Sequence, residues 1–270
     1  MVVSTRNHPR VTGLAGGRPI VFVHGFGCNQ EMWRYLVPEF ALDHQVVTLD
    51  LVGFGDSDAT AWQPERHGSL AGHAADVVAV CRELGLSDAV LVGHSVSAMI
   101  AVLAQQQAPE LVGALVLIGP NPRYVDDGDY TGGFSRADIA ELLDTLDSNH
   151  TGWSAAMAPA IMGNADRPEL SAELTASFCR TDPEVARRFA RVTFLSDNRA
   201  DLPGVTVPTL VLQCTDDVIA PEAVGRYVHA AIPGSHFTQL AATGHCPHLS
   251  APAETTAAIR AFLSTSLPAR

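Results

Sequence analysis

The stretch Val92–Ile100, VGHSVSAMI, decides how the rest of the chain is read. An apolar run ends at Gly93, Ser95 follows two residues later, and a helical pattern of apolar residues opens behind it. A strand-to-helix turn that exposes a nucleophile usually reads G-x-S-x-G, because the residues two before and two after the Ser must be small. Gly93 meets that need, but Ser97 stands where the second glycine is expected. On this motif alone, a helix cap is the favoured reading of Ser95.

Working outward, short β-branched runs alternate with longer amphipathic ones. PIVFVHG (19–25), QVVTLD (45–50), DAVLVGH (88–94), GALVLIG (113–119) and PTLVLQC (208–214) are apolar almost throughout, as in parallel strands covered on both faces. SLAGHAADVVAVCRELG (69–85) and SAMIAVLAQQQAPE (97–110) carry helical spacing, the first stopping near Gly85 and the second before Pro109. Such alternation predicts an open, mostly parallel, doubly wound α/β sheet. It fails between about residues 124 and 195, a stretch that is polar and helical in pattern and holds seven of the 17 aromatic residues. This segment reads as an inserted helical cap (124–195), with residues 1–123 and 196–270 as the core. Some of its aromatics must form the cap's own small core; the others are expected to face a ligand cavity.

A nucleophilic Ser needs a base and an orienting acid, which in α/β sheets follow it in the order Ser, acid, His at the ends of later strands. Asp216 and Asp217 come directly after PTLVLQC, and His245 sits on a Gly-His turn further on. This order favours Ser95 as a nucleophile rather than a cap. Only one of the two aspartates can face the histidine; Asp217 is favoured, with Asp216 turned to solvent or capping the loop. His245 is favoured over His248 as the base. A metal reading of His245, Cys246 and His248 lacks further ligands, so neither a metal nor another cofactor is expected. The Gly-rich turn after the first strand, residues 24–30, supplies an oxyanion hole: the Phe26 N–H would pair with that of Val96, and the Phe26 ring would give the site an apolar wall. The G-x-G pairs Gly25/Gly27 and Gly53/Gly55 open no dinucleotide-binding helix.

Composition excludes other classes. All 17 basic residues are Arg, which removes Schiff-base lysines and lysine-bearing phosphate loops. A net charge of −12 argues against nucleic acid and anionic membranes as partners. No apolar run spans a bilayer, the N-terminal residues show no apolar leader, and the five Cys are scattered, so reduced thiols and a cytoplasmic location are expected.

HGFGCNQEMW (24–33), GHSVSAMI (93–100), NPRYVDDGDYTGGF (121–134), FLSDNRADLPGVTVPTLVLQ (194–213) and GHCPHLS (244–250) resemble the α/β-hydrolase fold superfamily. Within it they resemble the branch of bacterial RsbQ-type hydrolases and plant strigolactone and karrikin receptors. A Ser at the second-glycine position is usual in those plant receptors, so the resemblance accounts for Ser97; CTDDVIAP (214–221) and GHCPHLS look more like the bacterial members. The resemblance implies Ser95, Asp217 and His245 as the triad and Phe26 and Val96 as oxyanion donors. It also implies a four-helix cap over an apolar pocket lined by Phe26, Phe134, Trp153 and Phe194. Met157 falls where the plant receptors tend to have an aromatic, a departure that bears on pocket shape.

The implied activity is hydrolysis of small, apolar, butenolide-like esters or lactones through an acyl-enzyme, slow and linked to signalling. A ligand sensor acting through a signalling protein partner, and a C–C hydrolase or perhydrolase, are the alternatives. An epoxide hydrolase would need Asp at position 95.

Overall fold

Alternate residues of the apolar runs go to opposite faces of one sheet. In β2 (Arg18–Val23), Ile20 and Phe22 pack with Trp33, Phe40, Ile259 and Phe262. Val21 and Val23 pack on the other side with Val77, Val80, Met99 and Ile100. Side chains alternate across a strand, so a strand covered on both sides must be apolar at every position. That requirement is why the runs show no polar alternation.

The computed structural model describes residues 6–268. Besides β2, its strands are β1 (Arg10–Gly13), β3 (His44–Leu49), β4 (Ala89–His94), β5 (Val112–Ile118), β6 (Thr209–Asp216) and β7 (His236–Thr243). Their order across the sheet is β1-β3-β2-β4-β5-β6-β7. All neighbours pair parallel except β1, which runs antiparallel to β3 at the edge.

Helices α1 (Leu70–Glu83) and α2 (Val96–Gln107) cover one face, joined there by α7 (Glu222–Ala231), while α8 (Pro252–Ser266) covers the other. Gly85, at φ +63°, ends α1 where the sequence places its stop. Four helices lie between β5 and β6: α3 (Arg136–Ser148), α4 (His150–Met162), α5 (Pro168–Arg180) and α6 (Pro183–Phe194). A reciprocal capping box between Ser135 and Asp138 starts α3. The preceding residues, 124–134, form a non-helical loop closed by backbone bridges Val125–Phe134 and Asp127–Tyr130.

From β2 the chain runs to β3 on one side and then crosses back to β4 on the other. The ends of β2 and β4 therefore flank a topological switch point, where open α/β sheets bind their ligands. No helix among the described residues is long and apolar enough to cross a membrane.

Candidate active site

Ser95 occupies the turn between β4 and α2 with φ +58° and ψ −125°, a conformation that an L-residue holds only when its surroundings force it. Packing around the turn provides that force. The Ser95 N–H donates to the Ile118 carbonyl at 2.8 Å. A Cβ on Gly93 would sit 2.1 Å from the Ser97 carbonyl oxygen, and one on Gly25 would sit 2.7 Å from His94 Nδ1. The two glycines let the turn and the β2 loop close on each other.

Ser97 is part of that closure. Its hydroxyl donates to the His24 carbonyl, tying the first turn of α2 to the loop that carries Phe26. His24 is itself fixed: its Nε2 accepts from the Leu51 N–H at 3.0 Å. A glycine at position 97 would keep the turn but lose the tie. Val96 opens α2, so its N–H is one of the first-turn donors that a helix leaves without an intrahelical partner.

Asp217 and His245 meet below the turn. His245 Nδ1 lies 2.7 Å from Asp217 Oδ2, and both side chains are buried. Asp217 Oδ1 accepts from the N–H groups of Ile219 and Ala220, at 2.9 and 3.0 Å. Its carboxylate is thus held from both ends. Asp216 is exposed, and its carbonyl accepts from Gly244 N–H at 2.6 Å.

Room for the pair comes from Gly119 at the end of β5, where a Cβ would lie 3.0 Å from His245 Cε1. The His245 N–H donates to the Ile161 carbonyl at the end of α4, at 2.8 Å. His245 Nε2 is buried without a hydrogen-bond partner. It borders the same cavity as Ser95, and no hydrogen bond joins the two.

That cavity is small, about 30 Å³, and almost wholly apolar. Phe26, Trp153, Met157 and Phe194 line it, together with Tyr124, Phe178 and Leu174. Phe26 is the hub, with the rings of Trp153, Phe178, Phe189 and Phe194 all centred 5.8–6.0 Å from its own. Phe134, expected at the cavity, does not line it. Its backbone pairs with Tyr124 and Asp126 in the 124–134 loop, which turns the ring into an outer groove with Leu142, Trp153 and Met157.

Tyr124 and Phe178 were legible as cap aromatics, but nothing in their spacing marked them as lining residues. Burial pushes the Tyr124 hydroxyl well above the ordinary tyrosine range, and the Ser95 side chain is the polar group that opposes this. Thr193 adds a second buried hydroxyl without a partner to the lining.

His248 does not reach the Asp217–His245 pair. It is buried against the Trp33 ring, at 4.6 Å, and the His94 ring, at 4.5 Å. Burial lowers it to about 3, so it is neutral near pH 7.

A strained Ser turn at the switch point, a buried His–Asp pair and a helical insertion define an α/β hydrolase. The chain matches the alpha/beta hydrolase family over residues 20–259 and belongs to it. Among its relatives, the strigolactone esterase D14 of Arabidopsis thaliana is 35% identical over 260 residues, covering 96% of this chain and 95% of the relative. The karrikin insensitive 2 receptor CA of Petunia hybrida is 34% identical over 252 residues, covering 93% of each. Of the solved structures, the hydrolase olei00960 from Oleispira antarctica superposes with a TM-score of 0.94 at 38% identity, covering 97% of this chain and 96% of that one.

Proposed function

We propose that the protein is a serine hydrolase of small, apolar esters or lactones, with Ser95 as nucleophile, His245 as base and Asp217 as orienting acid. The observation that carries this reading is the buried His245–Asp217 pair at 2.7 Å, with Nε2 left unpartnered at the cavity that Ser95 lines.

The chemistry follows from the arrangement. Asp217 accepts the Nδ1 proton, so the lone pair of neutral His245 is on Nε2. His245 takes the Ser95 proton as Oγ attacks the substrate carbonyl. The oxyanion that forms is met by the N–H groups of Phe26 and Val96, each such donor being worth about 10²–10³ in rate. Collapse expels the alcohol, which takes the proton from His245. Water, deprotonated by the same nitrogen, then cleaves the acyl-enzyme. The Ser95–His245 hydrogen bond needs only to form in the substrate complex, since such contacts are often long without ligand.

The cavity argues for substrate class. Four apolar rings around Phe26 favour an apolar acyl group, and a ligand larger than one or two waters must part them. The residues between about 124 and 195 then act as a cap that opens for entry, most of its aromatic rings turned toward that lining. Ester hydrolysis of p-nitrophenyl acetate and a fluorogenic butenolide tests the reading. Ser95→Ala should lose all turnover, and a fluorophosphonate should label Ser95 in the wild type. Unchanged turnover in the variant, or labelling at another residue, refutes it.

A second reading, a ligand sensor with slow turnover and a protein partner, is favoured by one contact. The backbone of His245 is bonded to the end of α4, so chemistry at the base and cap position are linked. The receptor names carried by the plant relatives point the same way. A sensor's cap must have two states with different ligand affinity. Melting temperature lowered by a butenolide in wild type, but not in Ser95→Ala, supports it. Stabilisation or no change in both leaves a plain esterase.

A further inference from the structure

Behind the candidate base lies a cluster that the proposed reaction does not use. His94, Cys246 and His248 each bring one donor atom to within 4.8 Å of the others, and all three residues are buried. They come from the end of β4 and from the loop after β7. The sequence, reading His245, Cys246 and His248 together, had no way to supply His94.

Three ring nitrogens of this group have no partner. His94 Nε2 faces the His245 carbonyl at 2.7 Å, where it must carry the proton, so the lone pair is on Nδ1, which has no partner. His248 has no partner on either ring nitrogen. Cys246 is a free thiol. Unpaired polar atoms in a core are costly, and each such set calls for an explanation.

We propose that His94, Cys246 and His248 form a binding site for a soft monovalent cation of the copper(I) class. Two neutral imidazoles and one sulfur make a three-donor N₂S set, a soft set that suits copper(I) and zinc. This group offers three donors, so zinc here would have to keep a water as its fourth ligand in a buried site.

Charge decides in the same direction. On binding, the Cys246 S–H bond breaks, a Cu–S bond forms and the proton passes to solvent, with no change in oxidation state. Cu⁺ with one thiolate leaves the buried site neutral. Zn²⁺ would leave it with a net positive charge in an apolar surrounding, which costs several kcal/mol of desolvation, on the order of the penalty for a buried ion. The way in is the substrate cavity, since His94 and Cys246 form part of its wall. An ion there would sit one hydrogen bond from the backbone of His245, so copper should also suppress ester turnover.

The test uses the full chain with reduced thiols under anaerobic conditions, titrated with Cu⁺ buffered by bicinchoninate. One equivalent should be retained. X-ray absorption should show one sulfur and two nitrogen neighbours, a readout independent of any hydrolysis. Cys246→Ser, which removes the soft donor at nearly constant volume, and His248→Gln should each weaken binding by at least about tenfold, the loss seen when even a supporting partner of a ligand is removed. Cys179→Ala, at an exposed thiol outside the cluster, should bind as wild type. Circular dichroism confirms that each variant is folded. No retained equivalent, loss of binding in Cys28→Ala (a second buried thiol on the same cavity wall) with Cys246→Ser unaffected, or tighter binding of Zn²⁺ than of Cu⁺ would each overturn the proposal.

Discussion

Asp217→Asn is the sharpest perturbation of the proposed mechanism, because its effect can be worked out atom by atom. Asp217 Oδ1 accepts two backbone N–H groups, while Oδ2 accepts from His245 Nδ1 at 2.7 Å. An asparagine keeps only one oxygen. With that oxygen toward Ile219 and Ala220, its NH₂ faces His245 Nδ1, which must then become the acceptor. The imidazole proton moves to Nε2, and the base can no longer accept from Ser95. With the amide flipped, the NH₂ opposes two buried N–H donors, which costs about 1–3 kcal/mol for each polar group left unpaired. The first orientation therefore wins. A wrong-tautomer base of this kind loses about 10⁴ in kcat, or about 5.4 kcal/mol at 1.36 kcal/mol per tenfold. Asp216→Asn, at an exposed side chain whose carbonyl makes the structural contact, should stay within about threefold, since exposed substitutions usually shift energies by less than about 0.5 kcal/mol. Steady-state turnover of p-nitrophenyl acetate by both variants, with near-wild-type circular dichroism, makes the comparison. An Asp217→Asn enzyme within tenfold of wild type, or an equal loss in Asp216→Asn, would refute the tautomer argument.

Other outcomes follow from the same contacts. Ser97→Ala removes the hydroxyl that donates to the His24 carbonyl; urea denaturation should show a loss of about 1–2 kcal/mol, the cost of a buried acceptor left unmade, and kcat should fall through a loosened Phe26 loop while fluorophosphonate still labels Ser95. Phe178→Ala empties a buried ring from the cavity wall, so it should cost about 3–5 kcal/mol and raise kcat/KM for hexanoate relative to acetate esters; an unchanged chain-length preference would remove Phe178 from the pocket. Asp76 is buried, and although burial opposes its charge, hydrogen bonds from His67 and Arg66 and the nearby Arg6 hold its carboxyl below the usual range. With the folded pKa depressed, its stabilisation is full above about pH 4, the unfolded value, and fades as pH falls through the folded one; thermal melts should show Asp76→Ala less stable by about 3 kcal/mol or more at pH 7, with the gap closing below pH 4.

The parts of this fold legible in the sequence were those whose physics is local. A strand buried on both faces must be continuously apolar, so β2 to β6 announced themselves. The Ser95 turn is compressed into five residues, so Gly93 and Ser97 could be read around it. β1 offered no such signal: it is a four-residue edge strand, exposed at every position. Phe134 was misread because its orientation is set by pairing across the 124–134 loop, not by its own spacing. Gly119 was missed because its role exists only where β5 passes beneath His245. The meeting of His94 with Cys246 and His248 likewise joins residues about 150 positions apart, and no window along the chain contains both ends.

The enzyme and sensor readings converge on one piece of structure. Besides Tyr124 beside Ser95, the cap touches the site at two further places. Its rings surround Phe26, whose backbone is the proposed oxyanion donor. The end of α4 accepts from the His245 N–H, and Asn164 just beyond it bonds the carbonyls of Met162 and Thr243, on either side of that contact. A Cβ on Gly244 would lie 1.9 Å from the Met162 carbonyl oxygen, so the His245 loop and α4 are packed as closely as backbones allow. A shift of the cap at α4 therefore moves His245, the proposed base, and an opening at Phe26 disturbs the loop that carries the proposed oxyanion donor. On the proposed mechanism, a ligand whose reaction at Ser95 changes these contacts has that free energy available to bias the cap. Turnover and signalling would then be two readouts of one coupling, and the lifetime of the acyl-enzyme would decide which of them the protein delivers.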